Sequence, residues 1–229
     1  MKHLDLCSGI GGFALAASWV WADHEVLSFV EVDPYCQSVL AKQWPDAPIH
    51  DDLRTFDARP FRGRADLLTA GYPCQPFASP GSKIGLDDPR HLWPEVFRAV
   101  RECRPRWCLF ENSPQHVHVG LDEVFSDLEG EGYSIGAVCA PACAVDARHL
   151  RERVWILAHA DGPPEDAYAE ARPSRRPIGE RHRWPPEPGV GRVADGVPGQ
   201  VDRLRALGNA IVPQVAAEIM RAIASSDSS

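Results

Sequence analysis

Short apolar runs alternate with amphipathic stretches through the first two-thirds of the chain. His3–Leu6, Val26–Glu31, Leu67–Ala70, Trp107–Phe110, Ser134–Cys139 and Val154–Ala158 are brief and rich in branched or aromatic residues, which predicts strands. Helical spacing covers Phe13–Trp21, Pro34–Gln43, Pro94–Cys103 and Leu121–Glu131. Pro34 and Pro94 fall where a first turn would lose nothing by lacking an N–H. Strands alternating with helices predict an α/β protein, a mostly parallel sheet with helices on both faces. From Gly162 to Pro198 eight prolines interrupt any period, so that stretch reads as loop-rich and without a core of its own. Ile211, Val215, Ile219 and Ile223 then restore a helical stripe, which predicts a helix returning to the main sheet.

Composition narrows this picture. A chain of 229 residues, 44% hydrophobic, can bury one substantial core, so one domain with at most a small appendage is expected. No apolar run nears the roughly 20 residues of a membrane span. Met1–Asp5 passes straight into a strand-like run without a signal-peptide layout, and a soluble, cytoplasmic protein is expected. The seven cysteines show no CxxC spacing, so neither a zinc site nor a disulfide framework is suggested.

The net charge of −8 argues against a nucleic-acid binder until its distribution is followed. Residues 1–147 carry 12 basic and 21 acidic side chains, a balance of −9. Residues 172–205 carry eight arginines against four acids, a balance of +4. Salt screens charges beyond about 8–10 Å, so the local sign governs contact with a polyanion. Composition alone favours a solvated arginine-rich loop.

Two stretches carry candidate chemistry. Asp5-Leu6-Cys7-Ser8-Gly9-Ile10-Gly11-Gly12-Phe13 places three glycines at a strand-to-helix turn, where backbone can approach a ligand closely. Glu31 ends the next strand, where an acid can hold ribose hydroxyls, and Asp33, Asp51 and Asp52 follow. Together they suggest an adenosine-containing cofactor at the carboxyl ends of the strands. Solvated acids remain the competing reading for Asp51 and Asp52. The second stretch, Leu67 to Phe77, sets Cys74 between Pro73 and Gln75 just beyond a strand. That layout suits a rigidly presented thiol nucleophile, but judged as a lone cysteine an inert buried thiol is the better reading.

Pro73-Cys74-Gln75 resembles the catalytic motif of DNA cytosine-5 methyltransferases, and further motifs of that family follow in order. The glycine loop resembles its cofactor motif, Glu31 its ribose-binding acid and Asp52 its adenine-contacting acid. Glu111-Asn112 resembles its cytosine-holding pair, Arg151-Glu152-Arg153 its Arg-x-Arg motif, and Gly208-Asn209 with Val212-Pro213-Gln214 its last motif. The resemblance implies a Rossmann-like methyltransferase fold and S-adenosylmethionine as cofactor, without a metal. It implies a catalytic set of Cys74, Glu111, Arg151, Arg153, Pro73 and Asn112. Cofactor contacts would come from Asp5, Cys7, Gly9, Gly11, Gly12, Phe13, Glu31, Val32, Asp52, Leu53, Asn209 and Ala210. DNA contacts would come from Gln75, Ser79, Arg90, Arg172, Arg175, Arg176, Arg181 and Arg183.

On this resemblance the chain would methylate carbon 5 of cytosine in double-stranded DNA. Cys74 would add to carbon 6 of a flipped-out base, with Glu111 at N3 and the 4-amino group. Arg153 would fix the base carbonyl and Arg151 support the thiolate. The chain would act as a monomer in a bacterial or phage-infected cell, with a cognate restriction endonuclease as a candidate partner. Methylation of transfer RNA, or a non-catalytic DNA-binding role, are the alternatives. Cys7, Val32, Ser113 and His149 depart from the family's usual residues, and cofactor affinity is the property they touch. The expected layout is a catalytic domain over 1–159, a short target-recognition region over 160–205 and a C-terminal helix within 206–229.

Overall fold

The structure, a computed structural model, describes residues 1–73, 91–160 and 200–227. Seven strands form one sheet: β1 (Lys2–Leu6), β2 (Glu25–Val30), β3 (Ile49–His50), β4 (Leu67–Ala70), β5 (Trp107–Asn112), β6 (Ser134–Pro141) and β7 (Glu152–His159). Their order is β3-β2-β1-β4-β5-β7-β6, and β7 alone runs antiparallel to both neighbours. The described α-helices are α1 (Gly12–Val20), α2 (Pro34–Gln43), α3 (Trp93–Cys103), α4 (Leu121–Gly130), α5 (Gln200–Asn209) and α6 (Pro213–Ser226). None is long and apolar enough to cross a membrane.

The central strands are apolar on both faces because both faces are covered. Every residue of β4 and β5 is buried. Successive side chains point to opposite sides of a strand. Leu4, Leu6, Leu68 and Phe110 therefore meet Trp93, Val96 and Val100 of α3 and Val124 and Leu128 of α4. Leu67, Leu109 and Trp155 meet Phe13, Ala16 and Ala17 of α1 and Val215, Ala216 and Met220 of α6 on the other side. The alanines of α1 let α6 lie close against it. This is the mostly parallel, doubly covered sheet expected from the apolar pattern.

The expected strands and helices all form within a residue or two of their predicted bounds, except at the C-terminal helix. There Pro213 occupies the first turn and Val212 is the cap, so Ile211 precedes the helix and packs beside the glycine loop instead. Among the described strands and α-helices two were not anticipated, β3 with only two residues and α5. α5 runs through residue 205 and rests on α2, where Arg205 pairs with Asp33. Asp33 also caps α2, its Oδ1 accepting from the Tyr35 and Cys36 amides at 2.8 and 3.2 Å.

Candidate active site

The sheet topology gathers the predicted residues along one edge. β1, β2, β4 and β5 all end there, delivering the glycine loop, Glu31, Gly71–Pro73 and Glu111–Asn112. Because β7 is antiparallel, it begins at that same edge, which brings Arg151 and Arg153 beside the end of β5.

The turn after β1 is held in left-handed backbone at Cys7 (φ 49°), Gly9 (φ 54°) and Gly11 (φ 81°). A Cβ at Gly11 would lie 2.5 Å from the Trp44 ring, and one at Gly12 would lie 2.6 Å from Ile211 Cγ1. A Cβ at Gly9 would meet nothing within 4 Å, so the turn is open on that side. Glu31 fastens the turn: its Oε2 accepts from the Gly9 amide at 2.7 Å and its Oε1 from the Asp33 amide at 2.8 Å. Carboxylate oxygens accept more than one bond each, so Glu31 keeps acceptor capacity for a diol.

Asp5 is fully buried beneath this loop. Its Oδ1 accepts from Thr69 Oγ1 at 2.8 Å, whereas Oδ2 has no hydrogen-bond partner among the described residues. Burial pushes the Asp5 carboxyl well above the ordinary range, with the Thr69 bond opposing and Glu31 adding to the rise. Burial likewise pushes the Cys7 thiol up to about 12, helped by the Glu31 and Asp5 charges, so Cys7 is a neutral wall residue.

The other cofactor candidates divide by exposure. Val32 stands 72% exposed beside Glu31, free to meet a flat ring. Asp52 turns back on the Arg54 amide at 2.9 Å, while Leu53 is buried and offers its carbonyl to Arg98 at 2.7 Å. Phe13 is also buried and stacks edge-on against Trp155, so it supports the floor of the cleft. Asn209 ends α5 and Ala210 follows it, the Ala210 carbonyl accepting from Arg151 Nη2 at 2.6 Å.

Glu111 is the most perturbed carboxylate of the β5–β7 corner. Arg153 Nε lies 3.0 Å from its Oε1. Burial nevertheless raises the Glu111 carboxyl to about 7, with Arg153 and Arg151 pulling the other way. Desolvation therefore outweighs the ion pair, as it does for carboxylates removed from water. A Cβ at Gly71 would be 3.8 Å from Glu111 Oε2, 3.8 Å from the Phe13 ring and 3.6 Å from Ile211. The β4 exit at Gly71 thus lies beside the carboxyl, with room there for an ordinary contact.

Arg151 and Arg153 take different partners. Arg151 donates to the Gly208 carbonyl at 3.0 Å as well as to Ala210, tying the start of β7 to the turn between α5 and α6. Its buried Nε has no hydrogen-bond partner among the described residues, and its φ is +30°. Asn112 is buried with Nδ2 donating to the Tyr72 carbonyl at 3.2 Å and Oδ1 accepting from the Ser113 amide at 2.8 Å. Asn112 acts on the β4 exit rather than facing the cleft. Sequence reading did not single out Tyr72, His116 or Thr69, because buried hydrogen-bond partners from separate elements leave no spacing signature.

Pro73 is the last residue described before residue 91. Cys74, Gln75, Ser79 and Arg90, and Arg172, Arg175, Arg176, Arg181 and Arg183, lie outside the described residues.

Comparison with known proteins agrees with this fold. Residues 1–181 match the family of C-5 cytosine-specific DNA methylases. Type II methyltransferase M2.BsuMI of Bacillus subtilis is 34% identical over 176 residues, covering 72% of this chain and 44% of that protein. Type II methyltransferase M.CviJI of Paramecium bursaria Chlorella virus IL3A is 30% identical over 168 residues, covering 72% of this chain and 45% of that protein. The chain thus spans less than half the length of these relatives. Among solved structures, the Dnmt2 methyltransferase of S. pombe superposes with a TM-score of 0.65 at 21% identity, over 80% of this chain and 59% of that one. That likeness supports the fold.

Proposed function

The chain belongs to the C-5 cytosine-specific DNA methylase family, and from that premise we propose that it transfers a methyl group from S-adenosylmethionine to carbon 5 of cytosine in double-stranded DNA. One observation carries the reading: a buried carboxyl raised to about 7, Glu111, shares the sheet edge with the glycine loop and the backbone leading into Cys74.

The cleft's chemistry fits the cofactor. The open side of the turn at Gly9, the Glu31 carboxylate, the exposed Val32 and the buried Asp5 Oδ2, unpartnered among the described residues, offer room, acceptors and an apolar face at one strand edge. Such a set suits a ligand with a ribose, an aromatic base and a charged tail. Glu31 would hold the ribose, Val32 would flank the base and the open side of the glycine turn would face the tail. S-adenosylmethionine, when bound, supplies an electrophilic methyl group on a sulfonium.

Cytosine carbon 5 is a poor nucleophile until something adds across its C5–C6 bond. The Cys74 thiolate would form a bond to carbon 6, sending the C5–C6 π pair toward carbon 5. Glu111, half protonated near neutral pH, would share its proton with N3 and accept from the 4-amino group as charge moves onto the ring. Arg153, already on Glu111 Oε1, would fix that carboxyl and present its remaining N–H groups to the base carbonyl. Arg151 would hold the α5–α6 turn, and with it Asn209 and Ala210, against the same site. Carbon 5 would take the methyl group as the methyl–sulfur bond breaks, leaving S-adenosylhomocysteine; loss of the carbon 5 proton to water and expulsion of the thiolate would then release the methylated base. Carbon 5 is buried in duplex stacking, so the base must leave the helix.

We further propose that residues 160–205 form a short target-recognition region in which arginines meet phosphates. The protein would act as a monomer on double-stranded DNA, with a cognate endonuclease as the candidate partner. Transfer of labelled methyl from S-adenosylmethionine to duplex DNA and to transfer RNA, measured side by side, tests the reading. Label in carbon 5 of DNA cytosine supports it; label confined to RNA, or none, overturns it.

A further inference from the structure

Tyr72 lies two residues before Cys74, at the exit of β4, and its hydroxyl is 2.9 Å from His116 Nε2. Both side chains are buried, Tyr72 at 4% and His116 at 5% exposure. The Tyr72 ring packs against Trp93 at 5.5 Å, edge-on to Phe110 at 6.3 Å and edge-on to His116 at 5.6 Å. Its carbonyl accepts from Asn112, so ring and backbone are held by separate elements. His116 stands in the one-turn helix Pro114–Val117 that follows β5. Gly120 makes room for it: its φ is +100°, and a Cβ there would be 3.1 Å from His116 Cε1.

We infer that Tyr72 and His116 form a positioning pair for the proposed nucleophile, fixing the backbone from which Pro73 and Cys74 continue. The inference rests on the reading of Cys74 as that nucleophile. Consecutive Cα atoms are about 3.8 Å apart, so a residue fixed at 72 restricts where residue 74 can lie. An apolar pair of similar volume would fill the same space without burying two polar groups. A buried hydrogen bond between two rings adds direction, because either group left alone carries a desolvation penalty. Burial also lowers the His116 imidazole to about 4, so the ring is neutral near pH 7 and can accept from the Tyr72 hydroxyl. The pair thus links the end of β4 to the segment just beyond Glu111–Asn112, the two strand ends the reaction must keep in register.

The test uses Tyr72→Phe, which keeps the ring and removes the donor, and Tyr72→Phe with His116→Leu, which restores a matched apolar pair. Three quantities are read: kcat and KM on duplex DNA, thermal stability, and amide hydrogen exchange over residues 70–72. Tyr72→Phe should lower kcat by about 10- to 100-fold with KM little changed, the scale of a misplaced reacting group. Exchange over 70–72 should quicken. The double variant should recover stability while kcat stays low. Unchanged kcat and exchange in Tyr72→Phe, or full recovery of kcat in the double variant, overturns the inference. Should wild type transfer no methyl group, the exchange result still decides whether the pair holds the strand exit, while the nucleophile reading falls separately.

Discussion

Replacing Glu111 by Gln separates the stability of the site from its chemistry. Glu111 titrates at about 7 in the folded chain against 4.5 for a free side chain. The folded state therefore holds a proton that the unfolded state has released between these values. The stability carried by this proton is present in full below 4.5 and is lost as pH rises through 7. Each unit is about 1.4 kcal/mol, so wild type should lose about 2–3 kcal/mol relative to Glu111→Gln between pH 5 and pH 8. The glutamine keeps the shape and removes the titration, at the cost of the ion pair with Arg153. Urea unfolding of both proteins across that range gives the difference directly. Methyl transfer should fall by about 10²–10⁴-fold in the variant, since an amide cannot share a proton with N3. A stability difference that stays flat from pH 5 to pH 8 would refute the claim that Glu111 is held desolvated. Undiminished turnover would refute its role in proton transfer.

Other outcomes follow from the same geometry. Glu31→Ala should weaken S-adenosylmethionine binding by about 1–3 kcal/mol, the scale of missing charge-assisted bonds, as read by titration calorimetry; because Glu31 also anchors the Gly9 and Asp33 amides, melting temperature should drop as well. Neutralising two or three of Arg172, Arg175, Arg176, Arg181 and Arg183 should flatten the salt dependence of DNA binding by about 0.9 for each phosphate no longer neutralised, with turnover at low salt preserved. Bisulfite sequencing of DNA from cells expressing the chain should reveal a short target of roughly two to four base pairs, because a small insert covers little of the groove area a specific site needs; a target of six or more would contradict that.

Much of the fold was legible because burial writes itself into the sequence. β4 and β5 are apolar at nearly every position since both faces are covered, and α6 shows its stripe because one side alone is packed. What stayed hidden has physical reasons. Strand direction leaves no period, so the antiparallel β7, which delivers Arg151 and Arg153 to the active edge, could not be read from its residues. β3 is two residues long, below any pattern. α5 exposes Val201, Leu204 and Leu207, so its apolar positions mark no buried face, and Arg205 ties it to Asp33 instead. In the site, the glycine loop and Glu31 were readable from strand ends. The Arg153–Glu111 pair joins residues 42 apart on different strands, and the Arg151 clasp on Gly208 and Ala210 spans a still longer stretch. Such partners meet only once the sheet has formed. Cys74 lacks a periodicity signal altogether, and the short motif around it is what marked it.

The covalent step is tested most directly by trapping. Wild type, duplex DNA carrying 5-fluorocytosine and S-adenosylmethionine should yield an adduct that survives denaturation, because fluorine cannot depart from carbon 5 as a proton does. Cys74→Ala should form none and transfer no methyl group to normal DNA. An adduct attached at another residue, or full methyl transfer by Cys74→Ala, would contradict the account.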